Sequence, residues 1–340
     1  MLQRPRVKGG RVMFRPGTMV VAVAGTLVSA VPAAADFKLE RQLSLVPGGR
    51  FILTTDVGEV SIAGDSSQGA SVVVTSRRDD LEQRYDVRFE ERAGMVEVTV
   101  KRRGTWLSGL FGGDWFNSGT RFEIRVPRAT SVNVHASGGS VHVARLLGEA
   151  RIHSSGGGLR FEEIEGRVDG HTSGGSIQVR TVRGDVRANT SGGGIDVADV
   201  RGSLRAETSG GGIQIDIVSG EVYAETSGGG VRIQGAGGRV DAHSSGGAVT
   251  VAFAGGNGSG GTLSSSGGGV RAELDPTVAL SIDASSSGGP ISSDLSITVR
   301  GTFSSGSLHG DLNGGGQTLR LRSSGGGVRI SGAASVATTR

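Results

Sequence analysis

The sequence predicts an all-β protein, a single-stranded parallel β-solenoid with 18-residue rungs, of the β-helix or β-roll kind. Three observations predict it. A Ser-Gly-Gly tripeptide begins at Ser137, Ser155, Ser173, Ser191, Ser209, Ser227 and Ser245, at intervals of 18 residues throughout. Each column of that repeat keeps one chemical character, so the unit is structural. Glycine is abundant, 62 of 340 residues, but it lies in short clusters between alternating apolar segments. It does not recur at every third position, which excludes collagen, and the alternating segments can bury a core, which argues against disorder.

The N-terminus reads as a targeting segment over residues 1–35. Arg4, Arg6, Lys8, Arg11 and Arg15 precede an apolar run from Met19 to Val31, and Ala33-Ala34-Ala35 follows before Asp36. That order is a basic region, an apolar core and a small-residue cleavage site, the layout of a secretory signal peptide. The run is too short to span a bilayer, so no integral membrane span is expected after cleavage. Residues 1–35 hold five of the 36 Lys/Arg and no Asp/Glu, which leaves 31 basic against 32 acidic residues in the mature chain. The basic character of the precursor therefore gives no ground for nucleic-acid binding. The chain has no Cys, so the mature fold relies on packing alone.

Residues 36–130 are less regular and are expected to form a β cap with the first rungs. Strand-like alternation appears at residues 58–62, 71–75, 85–89, 95–100 and 122–126. An open solenoid end needs such a cover, because an unpaired edge invites aggregation. Residues 131–254 form the regular repeat. Leu159, Ile177, Ile195, Ile213, Val231 and Val249 share one apolar column, and Phe161, Val179, Val197, Ile215, Ile233 and Val251 the next inward one. A second strand follows in each unit, as in Val186-Arg187-Ala188-Asn189-Thr190, with a large residue and then Ala facing inward. A lone Gly separates the two strands, and the Ser-Gly-Gly corner closes the unit, both positions suiting a residue that accepts positive φ. No connection is long enough for a crossover helix. The unit divides nine and nine, which favours a flattened two-sided coil, and parallel crossovers favour a right-handed winding. One outward column, Glu149, Arg167, Asp185, Ser203, Glu221 and Arg239, alternates charge along much of its length and should discourage register slip. Residues 255–330 keep looser copies at Ser266, Ser287 and Ser324 and read as degenerate rungs. Residues 331–340 read as a tail.

Val46-Pro47-Gly48-Gly49, Asp56-Val57-Gly58-Glu59-Val60-Ser61-Ile62, Arg125-Val126-Pro127 and the serial Ser-Gly-Gly-Gly-Ile/Val units form a further set of motifs. Together they resemble a bacterial family of adhesin-like β-solenoid domains of unknown function, and more distantly the head domains of autotransporter adhesins. The resemblance covers roughly residues 40–330. It implies a secreted β-solenoid without established catalysis.

The most unusual segment is residues 106–116, which holds both Trp of the chain and follows Lys101-Arg102-Arg103. Trp106, Leu107, Leu110, Phe111, Trp115 and Phe116 are the candidate binding residues, since glycine-broken aromatic loops can anchor a partner. Against this stands a purely structural role, plugging the N-terminal end. His135, His153, His171 and His243 fall in one column, but parallel neighbours rarely give the convergent geometry of a metal site, so no metal and no cofactor is expected. The Ser/Thr column Ser154, Thr172, Thr190, Thr208, Thr226 and Ser244 should point inward and bond turn backbone. The corners lack the Asp of calcium-binding rolls, the Lys of a phosphate loop and the context of a serine nucleophile elbow. The expected function is an exported, non-enzymatic module in the periplasm, at the cell surface or outside the cell. Its role is display, envelope structure or binding, with an envelope glycan, lipid or protein as partner. The alternatives are a polysaccharide lyase or hydrolase on the same scaffold, disfavoured by corners too short to wall a cleft, and an envelope-stress accessory protein.

Overall fold

The structure is a computed structural model, and it describes residues 37–77, 85–103, 119–300 and 304–333. Residues 1–36, the aromatic segment 106–116 and residues 334–340 lie outside the described residues. Among the described residues every regular element is a strand, and no helix is long and apolar enough to cross a membrane.

The strands form two sheets, of 14 and 15 strands, that do not close into a barrel. Each repeat gives one strand to each sheet. In the first, Leu159 pairs in parallel with Ile177, Ile177 with Ile195, Ile195 with Ile213, Ile213 with Val231 and Val231 with Val249. In the second, Ala150 pairs with Val168, then Val186, Leu204, Val222 and Val240 follow. Both chains of partners step by 18 positions, so like columns lie over like columns. Alternation does the rest. In Leu204–Thr208 the first, third and fifth residues are buried and the two between are partly exposed, and that pattern recurs from rung to rung.

The core lies between the sheets and is built mainly of Val, Ile, Leu and Ala, with Phe51, Phe122, Phe161 and Phe253 among them. One rung departs from the pattern in a compensated way. Phe161 stands where its neighbours have Val, and Gly170 stands across the core where the following rungs have Ala188, Ala206 and Ala224. A Cβ on Gly170 would lie 2.8 Å from the Phe161 ring, so the larger side chain on one sheet fills the space the other gives up.

Glycine at the Ser-Gly-Gly corners answers a different demand from the one expected. Successive corners stack so tightly that a Cβ on Gly193 would lie 2.3 Å from the Gly175 carbonyl oxygen. In the corners from Ser155 to Ser245 close backbone approach, not positive φ, excludes other residues, while Gly139 of the first corner also has a φ of 81°. Among the lone glycines between the two strands, Gly166, Gly184 and Gly202 have positive φ, 149° at Gly184. The Ser/Thr column turns inward as expected. The Thr172, Thr190, Thr208 and Thr226 hydroxyls each donate at 2.7 Å to the carbonyl of a glycine in the preceding corner.

Spatial order departs from chain order at both ends. Arg50–Thr55 lies between Met95–Arg102 and Ser131–Ala136, and Glu59–Ser66 lies between Arg121–Pro127 and Val141–Leu146. The first rung in sequence is thus enclosed by two later ones. At the other end Gln317–Ser323 lies between Gly261–Ser265 and Leu280–Ser286, and Val328–Gly332 pairs with both Val270–Leu274 and Ile291–Ser293. Successive units therefore do not simply follow one another at the two ends. Antiparallel strands finish the sheets, Phe37–Leu43 and Tyr85–Arg92 at one end and Ser307–Leu312 with Thr298–Val299 at the other.

Candidate binding face

Strands that bury every second residue present the others as straight rows, one side chain per rung, about 4.8 Å apart. On the second sheet two such rows run side by side. One holds Arg151, Asp169, Arg187, Arg205, Tyr223 and Asp241. The other holds His153, His171, Asn189, Glu207, Glu225 and His243.

Ion pairs on this face form mainly along a strand, between residues two apart. Arg151 bonds Glu149 at 2.6 Å, Arg205 bonds Glu207, and Arg239 holds Asp241 through two contacts of 3.1 and 3.2 Å. The alternating column Glu149–Arg167–Asp185 does not pair along its own length among the described residues. Asp185 instead accepts the Ser203 amide at 2.9 Å. The Arg205 guanidinium also lies over the Tyr223 ring, 4.1 Å from its centroid, and the Tyr223 hydroxyl donates to Glu225. That bond, reinforced by burial, raises the phenol pKa. Asp185, Arg205, Tyr223, Arg239 and Asp241 line a recess of about 310 Å³, whose wall also includes Arg167, Arg187 and Glu221.

The same face carries the histidine row. The rings of His135 and His153 stack with centroids 5.5 Å apart, and those of His153 and His171 lie 5.8 Å apart. Burial and then the neighbouring His135 lower the His153 pKa, while Asp169 opposes the shift. The His153 Nδ1 atom is buried without a hydrogen-bond partner. A second recess, about 340 Å³, opens beside the three rings and Asp56. Among the described residues no group of three or more His, Asp or Glu is placed to hold a metal ion.

On the opposite sheet His142 contacts Glu162 at 2.9 Å, and Arg160 bonds the same carboxylate. Burial would raise the Glu162 pKa, but the hydrogen bonds from Arg160 and His142 outweigh it and hold it below the usual range.

Trp106, Leu107, Leu110, Phe111, Trp115 and Phe116 lie outside the described residues. The described chain on either side of them, at Arg102 and at Gly119, borders a further recess of about 880 Å³, whose wall includes Asp56, Glu59, Arg77 and Arg121. Sequence reasoning had the histidine row and the charged column Glu149–Arg239. It did not weigh the row of Arg187, Arg205 and Tyr223, although the 18-residue register places these three side by side.

A family model described as Toastrack DUF4097 matches residues 51–331. No curated protein matches the chain in sequence. Among solved structures, a candidate adhesin from Parabacteroides merdae is similar at 12% identity, covering 87% of this chain and 95% of its own, with a TM-score of 0.45. A candidate adhesin from Bacteroides fragilis shows 9% identity, coverage of 89% and 99%, and a TM-score of 0.39. A candidate lipid-binding protein from Parabacteroides distasonis shows 13% identity, coverage of 88% and 97%, and a TM-score of 0.42.

Proposed function

The chain belongs to the Toastrack DUF4097 family, and from that premise we propose that it is an exported, non-catalytic binding module of the cell envelope or its exterior. The observation that carries the reading is the outward face of the second sheet. There a rigid backbone holds rows of Arg, Asp, Glu, His and Tyr side chains around shallow recesses. Such a surface suits many weak polar contacts to an extended partner. Rigid rows cost little entropy to present, so even modest contacts add up to affinity.

In this reading residues 1–35 direct export and are removed. Residues 36–130 cover the N-terminal end, residues 131–254 form the ordered ladder, and residues 255–330 complete it ahead of the tail at 331–340. The coil has 18-residue rungs and winds right-handed. Trp106, Leu107, Leu110, Phe111, Trp115 and Phe116 contribute an aromatic anchor for the partner. The family's adhesin-like character enters here as a supporting likeness.

The test is binding of labelled residues 36–340 to isolated envelope fractions, with Trp106→Ala/Trp115→Ala run beside the parent. Saturable binding by the parent is the expected result. Weaker binding by the double variant places the aromatic anchor in the contact. Failure of the folded parent to bind any envelope fraction overturns the reading.

A further inference from the structure

The recess around Arg187 contains charges whose partners are known and charges that have none. Arg239 is held by Asp241, and Arg205 by Glu207 and the Tyr223 ring. Asp185 is engaged by the Ser203 amide. The side chains of Arg167, Arg187 and Glu221 have no hydrogen bond or ion pair among the described residues, although Asp169 is the register partner of Arg187 on the preceding strand. Arg187 and Arg205 are themselves register partners, so two like charges face each other across the ladder. Such a pair is unfavourable unless an anion lies between the two heads.

An oxyanion would satisfy the two free guanidiniums, whose forked donors match a carboxylate in plane and spacing. A ligand that is only anionic, however, would meet Glu221 and Asp185 in the same recess. Those two groups accept hydrogen bonds, and hydroxyls supply them. A neutral sugar would satisfy the acceptors and leave the guanidiniums unmatched. One ligand class answers both halves, a sugar that carries a carboxylate beside its hydroxyls.

We propose that the recess formed by Arg167, Arg187, Arg205 and Glu221 binds a carboxylated glycan of the polyuronate type. The proposal rests on the binding reading above and names its ligand class. The carboxylate sits between Arg167 and Arg187, and ring hydroxyls donate to Glu221 and Asp185. Neighbouring rungs repeat the polar rows, so a chain of sugars can continue along the face.

The experiment is calorimetric titration of residues 36–340 with oligogalacturonate, with dextran and polyphosphate as comparison ligands. The expected result is binding of oligogalacturonate that weakens with salt, as exposed ion pairs do, with little binding of the other two. Arg167→Gln/Arg187→Gln should lose about tenfold or more in affinity, the scale of one charge-assisted hydrogen bond. Arg232→Gln, on the other sheet's outward side, should match the parent. Equal affinity for polyphosphate, equal affinity for dextran, or an unaffected double variant that is folded by circular dichroism would each overturn the proposal. So would the absence of oligogalacturonate binding. If the parent and the double variant then bind envelope fractions equally, the ligand class falls and the binding module stands. If neither binds, both fall.

Discussion

His153 shows how one position in a ladder differs from its neighbours although the residue type is the same. His135 and His171 lie above and below it, Arg151 and Asp169 flank it in the adjacent row, and Asp56 lies across the recess. Burial and the two imidazoles disfavour its proton, and Asp169 only partly offsets them. Its folded pKa therefore lies below the unfolded value of about 6.5. At pH 7.5 the ring is neutral in both states and costs nothing. As the pH falls below about 6.5 the unfolded chain takes up the proton first, so stability declines until the folded pKa is passed. His153→Asn, which copies Asn189 two rungs further on, removes the proton site and keeps a polar head. The parent should lose denaturant midpoint more steeply than this variant between about pH 7.5 and 5.5. Parallel midpoint curves for the two proteins would show that His153 is not the group responsible.

A rung is the unit in which packing is balanced, and the Phe161 rung allows a direct measurement. Gly170→Ala alone would push a Cβ to within 2.8 Å of the Phe161 ring and should cost about 1–3 kcal/mol through overpacking. Phe161→Val alone leaves a void facing Gly170 and should cost about 2 kcal/mol or more. The double variant recreates the Val179/Ala188 pair of the next rung, so the two losses should not add. Urea denaturation of the four proteins should give a favourable coupling of about 0.5–3 kcal/mol. Additive losses would show that the two residues are not compensating partners. This balance was legible in part. The inward columns, the two strands per unit, the inward Ser/Thr row and the strand positions in residues 58–126 could all be read from alternation and spacing. The reason for glycine at the corners could not, because a contact between stacked backbones leaves the same sequence trace as a positive φ. The pairing of charges was misjudged for a related reason. A column of alternating sign says nothing of which way each long side chain turns, and Arg239 turns toward Asp241, two residues along.

For the whole molecule the order of rungs in space is what spacing could not give. From Ser137 to Ser245 a constant step of 18 leaves one way to stack, but the later corners at Ser266, Ser287 and Ser324 carry the same motif at unequal steps. Any of them could lie next to the regular repeat. The structure puts the last one there, with Ser323 paired to Ser265 on one side and Ser286 on the other. Arg322 fastens the arrangement by bonding Asp283 at 2.6 and 3.1 Å, and those bonds hold the Asp283 pKa below the usual range against the effect of burial. A stack in chain order would lose only its outermost rung on truncation, because each unit contacts only its neighbours. Here removal of residues 317–340 takes out a middle layer. Leu280–Ser286 and Ile291–Ser293 would lose their parallel partners, while Ser307–Leu312 would keep only its antiparallel neighbours Leu280–Ser286 and Thr298–Val299. A two- or three-stranded remnant without a covered face is marginal in water. Hydrogen exchange on the truncated chain should therefore show residues 280–312 exchanging at least about tenfold faster than in the parent, with strands from Val141–Leu146 to Val231–Ala236 still protected. Retained protection across residues 280–312 would mean that the outer layer re-docks onto Gly261–Ser265 and Val270–Leu274, and that the interposed rung is a convenience of topology. Loss of protection spreading into the regular repeat would show instead that the ends set the cooperativity of the entire ladder.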